Sequence, residues 1–499
     1  MTSVEPDLRY SSSTGRWVIV ATVLGSGMAS IDATVVGIAL PTIGREFHAS
    51  FGGLQWVVNG YTLALAALLL VGGSLGDHYG RRRIFTIGVV WFTVASAACA
   101  LAPGTAVLVG LRILQGMGAA LLTPGSLAIL QASFDKDDRG RAIGAWTGLG
   151  GVATAIGPFL GGYLIAAASW RWIFLINVPL GAAVLLITSR HVPESRDPQA
   201  RGRIDLEGAV LGFLALGGIT FGLVSGPSLG WARPVVLLAL LGGAVAAGAF
   251  VAVELHSPTP MLPPGLFKRR QFSVTNAVTF VVYAALGGAL FLLPTVLQVV
   301  GGYSPLESGV ALLPLTVIML LLSARSGRLA SRIGPRLQMS VGPMIVGVGL
   351  VLLSRVGSDT SYLTGVLPAV LVFGLGLSAT VAPLTATALS SAPAEQAGIA
   401  SAVNNDVARI GGLLAVAVLP ALTGITGSSY LHPVQLAHGF RTASIAAGVA
   451  CFAAGVGAAF GIRNPAPLPT EVGRAAPPPP VPLVHCALDG PPLVTRTSA

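Results

Sequence analysis

Long apolar segments alternate with short polar loops along most of the chain. A helix needs ~20 apolar residues to cross the hydrocarbon core of a bilayer, and fourteen segments approach or exceed that length. Hydrocarbon offers no partner to backbone polar groups, so each segment is predicted to be a helix. The predicted spans are residues 17–40, 54–76, 84–102, 106–130, 141–166, 171–188, 206–225, 234–254, 272–298, 308–324, 337–356, 362–384, 398–422 and 439–462.

The composition excludes a water-soluble protein. Of the 499 residues, 53% are hydrophobic and 10% are charged, with a mean hydropathy of +0.79, whereas soluble domains carry about 25% charged residues. The net charge of +10 is spread over short loops and does not form the basic face of a nucleic-acid-binding protein. Cys99, Cys451 and Cys486 lie far apart in the sequence, so neither a metal site nor a disulfide framework is predicted.

The distribution of basic residues predicts the orientation. Twenty-two of the 29 lysines and arginines fall in loops or termini on one side of the predicted spans, and five fall on the other. Loops rich in basic residues remain in the cytoplasm, so both termini are predicted to be cytoplasmic. An odd number of spans would destroy this alternation. We therefore expect a multi-pass protein of a bacterial-type inner membrane.

One loop is repeated in the second half of the chain. The sequence from Gly73 to Arg83 contains Asp77 among glycines and arginines, and a degraded copy at 327–336 carries Ser331 at the position of the acid. A chance match is the alternative, but an internal repeat between apolar segments is typical of transporters. We predict two six-helix bundles with an additional helix pair between them. The predicted parts are a cytoplasmic N-terminal segment 1–16, bundles 17–188 and 272–462, a linker 189–271 with spans 7 and 8, and a disordered, proline-rich cytoplasmic tail 463–499.

Two ionisable residues in the first bundle lie within predicted spans. Asp32 is in span 1 and Arg112 is in span 4. A charged side chain at the bilayer centre costs about 2.5–3.5 kcal/mol on insertion scales, so such residues are usually functional. At ~1.5 Å rise per residue both lie about 9–12 Å below the outer ends of their helices. The sequence therefore predicts a shared, proton-sensitive site, and the alternative is a static pair that fixes helix packing.

A second polar group lies in span 13. Asp406 and Arg409 are three residues apart, so they can meet on one helix face, and Asn405 adds a further polar side chain. One interpretation is that the acid and the base neutralise each other. The other is that they line a substrate pathway, to which the Tyr61 side chain would also contribute.

Span 5 is rich in glycine. Gly144, Gly148 and Gly151 share one helix face, which predicts close helix contact. The second set, Gly157-Pro158 with Gly161-Gly162, combines small residues with a proline that removes a helix hydrogen bond.

No catalytic template is found in the sequence. It contains no phosphate-binding Gly-Lys-Ser/Thr loop, so ATP is not the expected energy source. Its two Gly-x-Ser-x-Gly sequences, 72–76 and 226–230, lie in or beside predicted membrane helices and so are not nucleophile elbows, and it has no His-Glu-x-x-His motif. The protein is therefore not expected to be an enzyme.

Several motifs, spaced along residues 15–462, resemble those of the major facilitator superfamily and specifically its fourteen-span drug:proton antiporter branch. The motifs are Asp32 with Thr34 and Pro41, the loop Gly73 to Arg83, Arg112 with Gln115 and Gly116, Gly157-Pro158 with Gly161-Gly162, and Asn405 with Arg409-Ile410-Gly411-Gly412.

The resemblance implies alternating access between two bundles and export of lipophilic small molecules driven by the proton gradient, with no bound cofactor. Asp32 would be the protonation site, and Arg112 would modulate its coupling. Gly157, Pro158, Gly161 and Gly162 would form the antiporter motif. The cytoplasmic gate would comprise Gly73, Asp77, Gly80, Arg81, Arg82 and Arg83.

The expected partners are the substrate, protons and the lipid bilayer, and the protein is expected to act as a monomer. Two rival functions stay open at this point. One is uptake of a metabolite, and the other is a non-transporting membrane sensor or enzyme, for which no soluble domain or catalytic constellation is visible.

Overall fold

A computed structural model describes residues 8–196, 205–257, 260, 262–358, 360–393 and 396–464. Fourteen helical spans lie in these ranges, as predicted. Span 6 is divided at Ile176 into α6 and α7, and span 10 is divided at Leu312 into α11 and α12. The helices are α1 (Ser13–Glu46), α2 (Phe51–Tyr79), α3 (Arg81–Ala100), α4 (Thr105–Ser133), α5 (Lys136–Ala167), α6 (Trp172–Leu175), α7 (Asn177–His191), α8 (Leu206–Leu229), α9 (Pro234–His256), α10 (Arg270–Val299), α11 (Pro305–Ala311), α12 (Leu313–Ile333), α13 (Pro335–Leu353), α14 (Leu367–Ser390), α15 (Ala397–Thr423) and α16 (Pro433–Gly461).

Many helices extend beyond the apolar segments that predict them. Helix α1, for example, begins four residues before the predicted span and ends at Glu46. A hydropathy count finds only the part of a helix that lies in hydrocarbon, whereas polar caps extend it into the interface. The Ser12 side chain accepts a hydrogen bond from the Gly15 amide at the start of α1, and Ser304 with Glu307 forms a capping box at the start of α11.

Helices α1–α7 pack mainly against one another, and so do α10–α16. We call these sets the first half and the second half. Contacts between the halves run from α5 to α11, from α1 to α10 and from α2 to α15. The bundle boundaries given above remain predictions. The predicted tail 465–499 and part of the linker, 197–204, lie outside the described residues.

Among the described residues, one hydrophobic core is shared by the two halves, and it lies at one end of the molecule. This core includes the ends of α1 and α10 and the start of α2, whereas the other two clusters each belong to one half. Phe51 of α2 packs against Phe291 of α10 and against Tyr430, with ring centroids 5.5 and 5.6 Å apart. We call this the closed end. The opposite end, which carries the loop Gly73 to Arg83, is the arginine-rich end.

Hydrogen bonds also cross between the halves at the closed end. Gln55 Nε2 of α2 donates to the Val416 carbonyl of α15 at 2.6 Å, and Gln298 Nε2 of α10 donates to the Ile38 carbonyl of α1 at 3.0 Å. The Tyr430 hydroxyl donates to the Ala49 carbonyl at 2.9 Å. Burial raises the pKa of Tyr430 above its ordinary value, so its hydroxyl remains a donor.

The additional pair α8 and α9 lies against both halves. Helix α8 contacts α2 of the first half and α15 of the second. Helix α9 packs on α8 through Gly218 and Gly243, where a Cβ added at Gly218 would lie 2.7 Å from the Ala239 carbonyl oxygen. Only 11% of the most apolar 18-residue stretch of α9 is buried, so α9 presents most of its surface to lipid.

Candidate functional site

Asp32 of α1 lies in a buried cluster with two residues of α4. The Arg112 guanidinium donates to Asp32 Oδ2, and Gln115 Nε2 donates to Asp32 Oδ1 at 2.8 Å. Arg112 also donates to Gln115 Oε1 at 2.7 Å. Asp32 is 0% exposed and Arg112 is 1% exposed. Both carboxylate oxygens therefore have donors, which offsets much of the cost of burying the charge.

The Arg112 side chain is held from two other helices as well. Its Nε donates to the Val57 carbonyl of α2 at 3.1 Å. Its guanidinium lies over the Tyr61 ring, 4.3 Å from the centroid, and 5.7 Å from that of Phe174 in α6. Aromatic faces attract guanidinium groups. Four helices of the first half thus meet around one ion pair.

Small residues make this convergence possible. A Cβ added at Gly116 of α4 would collide with the Tyr61 carbonyl oxygen, and one added at Gly72 of α2 would collide with the Ala120 carbonyl. The backbones of α2 and α4 therefore lie in near contact. Because the two backbones are so close, Arg112 reaches the Val57 carbonyl of α2 and still donates to Asp32.

The acid and the base of α15 do not pair with each other. Within the described part of the chain, Asp406 Oδ1 and Arg409 Nε are buried and have no hydrogen-bond partner. The interpretation that they neutralise each other stays a prediction, because Arg409 still acts electrostatically on Asp406. Arg409 also lies within electrostatic range of Tyr61 of α2 and Tyr283 of α10. Tyr61 therefore contacts Arg112 of the first half and also lies within electrostatic range of Arg409 of the second half.

The two asparagines beside this pair face different surroundings. Asn405, the predicted pathway residue, is exposed and donates to the Ser401 carbonyl of its own helix. Its neighbour Asn404 is buried and donates to Asn276 Oδ1 at 3.1 Å and to Thr279 Oγ1 at 2.8 Å, both in α10. Because the two asparagines are adjacent and chemically identical, nothing in the sequence distinguished the buried Asn404 from the exposed Asn405.

The loop between α2 and α3 is tied to its own half. Asp77 pairs with Arg81 at 2.8 Å. The Arg82 guanidinium donates to the Val192 carbonyl at 3.1 Å. Gly80 has φ +111°, a conformation that favours glycine. A Cβ added at Gly73 would lie 3.6 Å from the Cβ of Pro124 in α4.

Glu194 completes this loop, and sequence reasoning missed it. Its carboxylate accepts hydrogen bonds from the Arg82 and Arg83 amides at 3.1 and 3.2 Å. An acid at the start of a helix satisfies orphan amides and complements the helix dipole. In the sequence Glu194 is one of three acids in the linker 189–205, with Asp197 and Asp205, and nothing connected it with α3.

We expect Glu194→Ala to loosen the start of α3. Loss of a helix cap costs about 1 kcal/mol, so the Arg82 and Arg83 amides should exchange hydrogen roughly fivefold faster. Site-resolved hydrogen exchange in detergent would measure this. Glu207→Ala, a change in the first turn of α8, is the matched control. Unchanged exchange at Arg82 and Arg83 would contradict the capping role.

The glycines of the antiporter motif join α5 to two other helices near the closed end. Added Cβ atoms at Gly157 and Gly161 would meet Thr34 and Val35 of α1. One at Gly162 would lie 2.5 Å from the Pro305 carbonyl oxygen of α11. Helix α5 runs unbroken through Pro158. The motif therefore forms a three-helix contact between the halves.

The prediction of close contact along Gly144, Gly148 and Gly151 is wrong in this structure. A Cβ added at any of them would meet nothing within 4 Å. These residues lie on the part of α5 toward the arginine-rich end. There the hydrophobic clusters of the two halves are separate, so this face of α5 has no helix packed on it.

Comparison with known proteins identifies relatives over most of the chain. Residues 22–416 match the model of the Major Facilitator Superfamily. The multidrug resistance protein Stp of Mycobacterium tuberculosis is 38% identical over 83% of this chain and 77% of its own length. The methylenomycin A resistance protein of Bacillus subtilis is 37% identical over 84% and 90%. The tetracenomycin C resistance and export protein of Streptomyces glaucescens is 36% identical over 81% and 75%.

Solved structures share the fold. A POT family transporter aligns with a TM-score of 0.68 at 13% identity over 91% of this chain and 97% of its own. A bacterial homologue of the human lysosomal transporter Spinster aligns with a TM-score of 0.63 at 18% identity over 90% and 97%. The arrangement of helices, the family match and the relatives agree. The chain belongs to the Major Facilitator Superfamily, as a multi-pass cell-membrane transporter with fourteen spans.

Proposed function

We propose that the protein is a proton-coupled antiporter that exports amphipathic small molecules by alternating access. The observation that carries this proposal is the Asp32 carboxylate, which is buried in the first half and bonded to Arg112 and Gln115. The names of the relatives, which are resistance and export proteins, support the direction of transport. The energy source is the proton gradient, by analogy with the family.

The conformation fits a step in such a cycle. The halves share a core at the closed end and have separate cores at the arginine-rich end. Basic loops mark the cytoplasmic side, so this arrangement corresponds to a state that is open toward the cytoplasm. A substrate to be exported would enter in this state.

Protonation of Asp32 would change the contact between α1 and α4. Hydrogen bonds to an ionised carboxylate are roughly twice as strong as those between neutral groups. Adding a proton therefore weakens the hold of Arg112 and Gln115 on Asp32, and losing it restores that hold. A carboxyl that exchanges its proton on opposite sides of the membrane in the two states couples proton entry to the motion of the halves.

The polar groups of α15 would then line the substrate pathway. Asp406 Oδ1 and Arg409 Nε lack partners within the protein, as far as its residues are described. Buried polar groups of this kind carry a cost that a bound ligand can remove. Tyr61 and Tyr283 lie within electrostatic range of Arg409 and offer aromatic surfaces on which a flat apolar molecule can pack.

Everted membrane vesicles with an imposed proton gradient test the proposed function. Methylenomycin A and tetracenomycin C, for which two relatives are named, begin the compound panel, and dyes and other antibiotics extend it. We expect gradient-dependent accumulation of a compound together with proton release evoked by it. Accumulation that survives collapse of the gradient would overturn the proton coupling. Failure of every compound, with folded protein in the vesicles, would overturn the export of this substrate class.

We expect Arg409→Gln to reduce transport of the accepted compound by about tenfold or more. A hydrogen bond to a charged group contributes about 1.5–3 kcal/mol, and the change removes the charge while keeping a polar side chain. Initial transport rates in everted vesicles, normalised to protein content, give the readout. Arg233→Gln, a change in the exposed loop between α8 and α9, is the control. Equal rates for both variants would remove Arg409 from the pathway.

A further inference from the structure

A cavity of about 610 Å³ opens between α13 and α16 at the closed end. Arg355 lines it just beyond α13, while His438 and Arg441 of α16 line the other side. The apolar side chains of Val351 and Ile445 complete its wall toward the middle of the bundle. This cavity lies within the second half and is separate from the Asp32 cluster.

The basic residues of this cavity are unusual in their position. Only five of the 29 basic residues belong to the predicted outer loops and helix ends, because basic residues favour the cytoplasmic side. One of the five, Arg171, forms an ion pair with Glu46 at 2.7 Å. Two others, Arg355 and Arg441, line the same cavity. Among the described residues that line it, no acidic side chain is present.

Exposed apolar side chains continue from the cavity along both helices. On α13 these are Val351 and Val348, which are 39% and 51% exposed. On α16 they are Ile445, Val449 and Phe452, which are 39%, 62% and 52% exposed. Residues three or four apart lie on one helix face, so each apolar row begins directly below one of the two arginines.

The rows flank a shallow groove. Gly347 of α13 and Gly448 of α16 lie in close contact, since a Cβ at Gly347 would lie 2.6 Å from the Gly448 carbonyl oxygen. Close backbones between two rows of larger side chains leave a groove along the helix pair. A basic cavity that continues into an apolar groove has the two chemical parts of a phospholipid.

We propose that this cavity binds the phosphate headgroup of an anionic phospholipid from the outer leaflet, with an acyl chain along the groove. Arginine binds phosphate through two parallel hydrogen bonds, and basic pockets between transmembrane helices bind anionic headgroups. His438 supplies a further ring nitrogen. The volume of the cavity exceeds the need of a bare phosphate ion, and the apolar groove favours a lipid over a soluble phosphate.

Native mass spectrometry of the purified full chain tests this proposal. The protein is exposed in turn to dioleoyl phosphatidylglycerol, to dioleoyl phosphatidylcholine and to inorganic phosphate. We expect retention of phosphatidylglycerol in preference to phosphatidylcholine. Each basic residue near a lipid phosphate contributes a factor of about five in affinity. The double variant Arg355→Gln/Arg441→Gln should therefore bind phosphatidylglycerol roughly twentyfold more weakly.

Two further variants distinguish the proposed site from general lipid binding. Arg233→Gln removes an exposed arginine at the same end of the protein and should leave phosphatidylglycerol binding unchanged. Phe452→Ser removes an apolar side chain of the groove and should weaken the lipid but not inorganic phosphate. Equal loss in Arg233→Gln, or no loss in the double variant, would overturn the site. Binding of inorganic phosphate that the double variant abolishes, without lipid preference, would overturn the lipid as its ligand.

Discussion

Asp32→Asn is expected to abolish substrate-evoked proton release while leaving the protein folded. Asparagine has nearly the same shape as aspartate, and its side-chain oxygen can still accept a hydrogen bond from Arg112. It cannot gain or lose a proton, so the contact between α1 and α4 no longer responds to pH. Proton release in everted vesicles should fall to the level of vesicles without the protein. Full proton release in this variant would exclude Asp32 as the coupling site.

Changes at Arg112 separate coupling from stability. Arg112→Leu leaves the buried carboxylate of Asp32 without its ion-pair partner, which typically costs about 3–5 kcal/mol. We expect a low yield of folded protein from this variant. Removing both charges in Asp32→Asn/Arg112→Leu should restore much of the yield, because replacing a whole buried pair is often neutral. Transport should remain absent. Equal yields of the single and double variants would contradict a stabilising role for the pair.

Gly162→Ala is expected to separate α5 from α11 and to open the closed end. The added Cβ would lie 2.5 Å from the Pro305 carbonyl oxygen and 2.8 Å from the Leu306 Cα. Both are backbone atoms and cannot rotate away. Overpacking of this kind costs about 1–3 kcal/mol. The variant should therefore populate the conformation with a packed closed end less often. We expect transport to fall about tenfold and the unfolding temperature to decrease.

A second glycine provides the control for this prediction. Gly457 lies in α16, where an added Cβ would meet nothing within 4 Å. Alanine is the better helix former by up to about 1 kcal/mol, so Gly457→Ala should keep or raise the unfolding temperature and retain transport. If both alanine variants behave alike, the contact between α5 and α11 does not govern the closed end.

The number of spans could be predicted from the sequence because the bilayer imposes one strong requirement on every segment. A run of apolar residues long enough to cross hydrocarbon must pair its own backbone N–H and C=O groups. A helix is the structure in which a single segment can do so. The contact between Asp32 and Arg112 could be anticipated for a related reason. Charges in adjacent helices at similar depth have few other ways to lower the cost of their burial.

Other contacts depend on how the helices are placed in space, which no local pattern encodes. Helical spacing alone permits a close ion pair between Asp406 and Arg409, but it does not encode where the two side chains turn in the packed bundle. The empty face beside Gly148 reflects one conformation, in which the described residues of the two halves share a hydrophobic core at the closed end. The cap that Glu194 provides joins residues more than a hundred positions apart, so only the fold brings them together.

Helix α8 touches α2 and α15 at the same time, and these two helices belong to halves that would rotate relative to each other in the proposed cycle. In each cycle, α8 must therefore slide along at least one of its two neighbours. Cysteine cross-links from α8 to both helices, or an antibody fragment bound to all three, would therefore inhibit transport. Such an inhibitor would not compete with the substrate for its binding site.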